Sequence, residues 1–303
     1  MAIVKERRKL SYLERRDIPY AILFLAPSLT GLLVFTILPI FASFFLAFTD
    51  WDLLSPPKFV GLQNFIEMFQ DPILWISLWN SVKYALMMIP GSTAMALLLA
   101  LALNREFAGI KLIRLFFMLP GVVSLVAVAM VWRWIYNEQY GLLNTVLGFF
   151  GVEPVAWLTN EATVLPAIVI MLIWAGMGFD AVIYLAALRN IPKHLYEAAE
   201  LDGANSWQRF WKITFPLLTP VHFYNLIIGL IGSFQVFDVI YIMTEGGPGF
   251  ASRVYAYHLY LEAFRRFHMG YAASMAWFLF LIIFVVTIIQ WRVLGRRVEY
   301  DYV

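Results

Sequence analysis

Six apolar stretches constrain this chain more than any other feature. They cover Tyr20–Phe48, Ser81–Leu103, Leu112–Ile135, Val164–Leu188, Leu217–Met243 and Ala273–Leu294. Each is near or above the roughly 20 residues a helix needs to cross a bilayer. Lipid offers no partner to a free N–H or C=O, so segments of this length and composition cross it as helices. The chain as a whole is 62% apolar and only 14% charged. A soluble domain is typically about 45–50% apolar and 25% charged, so this chain is too poor in polar side chains to cover a water-facing surface. The expectation is an all-α integral membrane protein with six transmembrane helices and both termini on one side. Tyr20–Phe48 is longer than a signal-peptide core and lacks a small-residue cleavage site, so it reads as an uncleaved anchor.

Lys and Arg orient the spans. Lys5, Arg7, Arg8, Lys9, Arg15 and Arg16 precede the first span, and Arg292, Arg296 and Arg297 lie at the end of the last. Arg105, Lys111 and Arg114, then Arg189, Lys193, Arg209 and Lys212, fall in loops on that same side. The opposite loops carry fewer cations, with Asp50, Asp52, Glu67, Asp71, Glu138, Glu153 and Glu161 among them. The side rich in Lys and Arg reads as cytoplasmic. Arg133, near the outer end of the third span, reads as a side chain reaching for the headgroups.

Several chemistries find no support. Cys is absent, which removes disulfides and thiolate chemistry. No Gly-Lys dipeptide exists to build a P-loop, and His194, His222, His258 and His268 are scattered rather than paired at metal-binding spacing. Inside the spans the ionisable candidates are Asp180, Asp238 and His222. That set is thin for catalysis and better suited to a polar path or helix contacts.

Between the fourth and fifth spans lies a polar interval, Ile191–Pro220, that has the marks of two short helices. Pro192 suits a helix start and Gly203 the residue just past a helix end. Asn205 or Ser206 can cap a second helix bearing Trp207, Phe210 and Trp211 before Pro216 and Pro220 break it. On these grounds alone the knob is either a solvated connector or a docking element.

The order Glu197-Ala198-Ala199, three residues, Gly203, nine residues, Ile213-Thr214-Phe215-Pro216 resembles the EAA loop of bacterial ABC importer permeases. The family pattern has Leu where Phe215 stands, an apolar exchange. The wider run Glu197–Ala204 is similar to the carbohydrate branch, the maltose and glycerol-3-phosphate type. So are Thr49-Asp50-Trp51, the run from Phe59 to Phe65, Leu119-Pro120, Val131–Trp134, Tyr140–Asn144, Phe237–Tyr241 leading into Gly246-Gly247-Pro248, and Met269–Ala273.

The resemblance implies a type I ABC importer permease fold in the bacterial cytoplasmic (inner) membrane. It divides the chain into a basic cytoplasmic tail (1–19), a six-helix permease domain (20–294) containing the cytoplasmic EAA loop (191–216), and a cytoplasmic tail (295–303). It implies a homologous second permease, two ATPase subunits holding ATP and magnesium, an extracytoplasmic solute-binding protein and a sugar substrate. It implies no catalytic residue, cofactor, metal or nucleic acid on this chain. Glu197, Ala198, Ala199, Asp202 and Gly203 would couple to the ATPase, with Gly203 turning the chain where a side chain would clash.

A sugar path needs hydrogen-bonding groups beside flat apolar faces. Phe234, Gln235, Phe237 and Asp238 in the fifth span, and Trp174, Gly178 and Asp180 in the fourth, are the candidates. Phe234 and Phe237 read equally well as ordinary packing. Two alternatives stand beside sugar import. One is a sugar phosphate such as glycerol-3-phosphate carried by the same machinery; the other is an ATP-independent channel or intramembrane enzyme.

Overall fold

The computed structural model describes residues 12–295. Lys5, Arg7, Arg8, Lys9, Arg296 and Arg297 of the two basic tails lie outside them. The helical expectation holds, and several boundaries shift. The first helix, α1 (Tyr12–Leu32), begins well before Tyr20 and carries Pro19 and Pro27. It continues through a π turn, Leu33–Ile37, into α2 (Leu38–Leu46), with Pro39 in the first turn of α2. From Pro19 to Leu46 no residue is fully buried within the chain. Its main attachment is at the outer end, where Phe44 packs edge-on against Trp277 at 4.9 Å.

A two-residue antiparallel ribbon follows: β1 (Thr49–Asp50) pairs with β2 (Lys58–Phe59), Thr49 opposite Phe59. Asn64, on α3 (Gln63–Gln70), donates to the carbonyls of Ala47 at 3.0 Å and Thr49 at 2.9 Å. So two of the separated motifs form one clamp, which the N-terminus of the last helix closes, with Met269 N–H donating to the Trp51 carbonyl.

The centre of the bundle is α4 (Pro72–Leu103) against α8 (Val164–Asn190). α4 starts nine residues before the expected Ser81, because the Asp71 carboxylate caps it by accepting from Ile73 N–H at 2.8 Å. Both helices are apolar on all sides, as buried membrane helices are.

The third expected span is not straight. α5 (Ile110–Val122) and α6 (Leu125–Ile135) meet at 95° across extended Val123 and Ser124. Pro120 removes one backbone donor just before the break, and both sides of Ser124 are apolar, so hydropathy reads through it. α5 crosses α8 at Gly178, where an added Cβ would collide with the backbone carbonyl of Phe117. The short helix α7 (Leu142–Gly148) is anchored by Asn144, which accepts from Trp157 Nε1 at 2.8 Å and donates to the Val155 carbonyl at 2.9 Å.

After α8 come α9 (Lys193–Leu201), α10 (Ser206–Arg209), a π turn at Phe210–Thr214, and α11 (Phe215–Leu217). The expected fifth span, Leu217–Met243, is broken twice. The chain bends by 60° at Leu218 into α12 (Thr219–Phe234), whose second residue is Pro220. It then unwinds over Gln235, Val236 and Phe237 before α13 (Asp238–Met243), which packs on α6. Arg133 donates to the Ile242 carbonyl of α13 at 3.1 Å, so it ties two broken spans together as well as sitting near the outer surface. At the end of the bundle away from α9 and α10, α14 (Tyr255–Tyr260) leads through a π turn, Leu261–Arg265, into α15 (Met269–Leu294). Among the described residues four helical stretches are long and apolar enough to cross a bilayer singly, and the total reaches six if each bent pair is one span.

Candidate functional site

Two separate places collect the residues singled out in the sequence. The first is the knob. α9 ends in a Schellman turn: Gly203 N–H donates to the Glu200 carbonyl at 3.0 Å and Ala204 N–H to the Ala199 carbonyl at 2.9 Å. Gly203 has φ +75°, the left-handed region where a Cβ is costly. A Cβ there would meet no atom of this chain within 4 Å. Within the chain, then, the glycine answers to backbone conformation and not to crowding by distant residues. Asn205 caps α10 in a reciprocal box with Gln208, each bond 2.9 Å. Arg209 of α10 pairs with Glu200 of α9, and Tyr196 shares a 2.8 Å hydrogen bond with Thr214.

The knob's inner side joins the membrane bundle. Leu195, Tyr196, Phe210 and Ile213 pack on Leu188, Ile191 and Leu218. Its outer side faces solvent: Glu197, Ala198, Asp202 and Gly203 are exposed, and Leu201 and Trp207 are 90% and 69% exposed. Ala199, Asp202, Gly203, Arg209 and Lys212 border a hollow of about 380 Å³. An aromatic chain leads from the knob into the membrane, from Trp207 to Trp211 to Phe215 to His222, with centroids 4.7–5.6 Å apart. His222 Nδ1 then lies 2.7 Å from the Tyr184 hydroxyl of α8.

The second place is a cavity of about 400 Å³ among α4, α8, α12 and the unwound segment. Asp180, Gln235, Phe237 and Asp238 line it together. The three-residue break in the helix fits this position, since irregular backbone at membrane depth is tolerated where it borders a cavity. Trp174, Gly178 and Phe234 are placed elsewhere. Trp174 stacks obliquely on Trp132 at 5.3 Å, Gly178 sits at the α5 crossing, and Phe234 is 5% exposed in the packing of α12 against α4 and α15. Sequence reasoning missed Tyr84, Ser92, Tyr224 and Asn225 on the cavity wall. A signal for the α12 members existed: Asn225, Gly229, Gly232 and Ser233 recur at helical spacing as a small and polar stripe in an apolar span.

The outer cap holds a third cluster. His258 is fully buried, with Nε2 3.2 Å from Asp71 Oδ2 and Nδ1 3.8 Å from Glu262 Oε1. Tyr271 donates to Asp71 at 3.0 Å, and Arg266 and His268 pair with Glu262. Burial pushes the His258 pKa down despite the neighbouring carboxylates. Burial works to raise Asp71, but hydrogen bonds from Ile73, His258 and Tyr271 outweigh it and hold its carboxyl below the ordinary range. Among the described residues no three His, Asp or Glu side chains are arranged to hold a metal ion.

A broken-helix bundle around a polar cavity, carrying a rigid helical knob at one end, defines a polytopic membrane transport subunit. The chain belongs to the family of binding-protein-dependent transport system inner membrane components, whose profile matches residues 92–300. It is 39% identical over 292 residues to a probable ABC transporter permease protein of Bacillus subtilis, covering 95% of this chain and 94% of that one. It is 34% identical over 290 residues to the trehalose/maltose transport system permease protein of Thermococcus litoralis, covering 94% and 97%. A bacterial ABC transporter that imports the acidic polysaccharide alginate shares the fold, at TM-score 0.82 and 25% identity over 94% of this chain and 98% of that chain. The fold is thus that of a type I ABC importer permease, integral to the membrane.

Proposed function

We propose that this chain is one of two permease subunits of an ATP-driven importer that carries a sugar or oligosaccharide into the cell by alternating access. The observation that carries the coupling role is the EAA loop, a knob with its own caps whose inner side is packed onto α8 and α12 while its outer side is free. Glu197, Ala198, Ala199, Asp202 and Gly203 meet a separate ATPase subunit, and ATP with magnesium belongs to that subunit. When two such subunits close on ATP, the two knobs approach and carry their helices with them. ATP acts only through its preference for the closed state. The carbohydrate reading is supported by relatives named for trehalose/maltose and for arabinooligosaccharide transport. A solute-binding protein as the donor is supported by an alginate importer solved with its pentasaccharide-bound periplasmic protein.

The cavity bounded by Asp180, Gln235, Phe237 and Asp238 is this subunit's share of the path. Both termini and the knob face the cytoplasm. The test is to express the chain with its candidate partner permease, ATPase and binding protein, purify the complex, and measure ATP hydrolysis with and without sugar-loaded binding protein. Stimulation of ATPase activity by one sugar is the expected result. A chain that purifies alone and binds no ATPase overturns the reading in favour of a channel.

A further inference from the structure

The cavity's lining has one sign of charge. Asp180 and Asp238 are its ionisable carboxylates, and no Lys, Arg or His is among its lining residues. A separate hollow that does hold a cation, with Lys83 and Glu161, opens elsewhere, between α4 and the start of α8. The remaining polar groups on the wall are uncharged: Gln235, Asn225, Ser92, Ser233 and the tyrosines Tyr84 and Tyr224. Ser233 is 3% exposed, and its hydroxyl has no hydrogen-bond partner in the protein. Buried polar groups are normally satisfied, so this unpaired hydroxyl on the wall points to a partner that the chain does not supply.

We propose that this cavity takes sugars carrying no negative charge and rejects uronates and sugar phosphates. This rests on the reading of the cavity as the transport path. A carboxylate accepts hydroxyl hydrogens strongly and can take two from one sugar edge. Asp180 and Asp238 therefore hold the hydroxyls of a neutral ring, Ser233 and Asn225 complete the set, and Phe237 offers its ring to the sugar's apolar face. An anionic sugar would bring a further negative charge beside two carboxylates, in a lining with no Lys, Arg or His to offset it. A volume of about 400 Å³ lies in the range of small-molecule sites, so the cavity holds a short saccharide segment. This sets the chain apart from its structural neighbour, whose cargo is described as an acidic polysaccharide.

The experiment uses the full complex of both permeases and both ATPase subunits in nanodiscs, without binding protein, so that the latter's own selectivity does not intervene. Saturation-transfer NMR is recorded with maltose, cellobiose and xylobiose, and with cellobiouronic and digalacturonic acids as acidic counterparts. At least one neutral disaccharide should bind, and the acids should bind at least tenfold more weakly. Asp238→Asn, at an exposed position that tolerates the change, should narrow that ratio severalfold, and Asp180→Asn with it should abolish the discrimination. A purely structural role would leave the ratio unchanged. An acid that binds as well as its neutral counterpart, or a ratio unmoved in Asp238→Asn, overturns the inference. If no disaccharide binds while binding-protein-driven uptake persists, the path lies elsewhere and the inference fails alone. If uptake also fails for every sugar, the import reading itself falls.

Discussion

Gly203 is held at φ +75° by two hydrogen bonds that close the end of α9, with open space where its side chain would be. The left-handed conformation costs an ordinary L-residue about 1–2 kcal/mol, while Asn enters it more readily. Gly203→Ala should therefore loosen the knob and lower sugar-stimulated ATPase activity by about 5- to 30-fold at most. Gly203→Asn should stay close to wild type in the same assay. Equal losses in both variants would mean that the ATPase surface, and not the backbone, demands the glycine. His258 gives a second residue-level expectation. Its folded pKa lies below the ordinary 6.5, so the unfolded chain binds the proton more tightly. Stability should be complete above that value and decline as pH falls from about 7 towards 5, with Asp71 adding to the loss only nearer its own ordinary value of 3.8. Glu262 and Arg253 also face the imidazole and act in opposite senses. His258→Gln, which can still donate to Asp71, should flatten the change in melting temperature between pH 7.5 and 5.5. An unchanged slope would place the titrating group elsewhere.

At the scale of elements, much of the architecture was legible and the breaks were not. Six apolar runs announce six helices because lipid demands them, and Pro192, Gly203 and Asn205 mark the knob's helices through backbone rules that work locally. Hydropathy says nothing about direction, so the 95° turn at Val123–Ser124 and the unwinding at Gln235–Phe237 pass unseen inside apolar sequence. Tertiary crossings were equally hidden. Gly178 looked like a path residue from its neighbours in sequence, yet it sits where α5 crosses α8 against the Phe117 carbonyl. A methyl group there must push backbone, which typically costs about 1–3 kcal/mol. Gly178→Ala should lower the melting temperature and the yield of monodisperse complex. Wild-type stability combined with impaired uptake would instead return Gly178 to the transport path.

For the molecule as a whole, the two ends of the bundle are built differently. The knob is packed onto α4, α8 and α12 through Ala100, Leu188 and Leu218, so a pull on it acts on the helices that wall the cavity. The outer end is closed by side-chain clamps: Asn64 on the ribbon, Asn80 on the Phe250 and Arg253 carbonyls, and Asn144 on the α7 loop. Those clamps involve residues tens or hundreds of positions apart, which is why the motifs were recognisable in sequence while their purpose was not. This division works for import only if the knob and the clamps lie on opposite sides of the membrane. The absence of Cys makes that directly measurable, because a single introduced thiol carries the whole signal. Glu153→Cys lies in the outer loop and Leu201→Cys on the exposed knob, both accessible to solvent. In intact spheroplasts a membrane-impermeant maleimide should label Glu153→Cys and spare Leu201→Cys, and after lysis it should label both. Labelling of Leu201→Cys before lysis would reverse the topology and place the knob out of reach of any cytoplasmic ATPase.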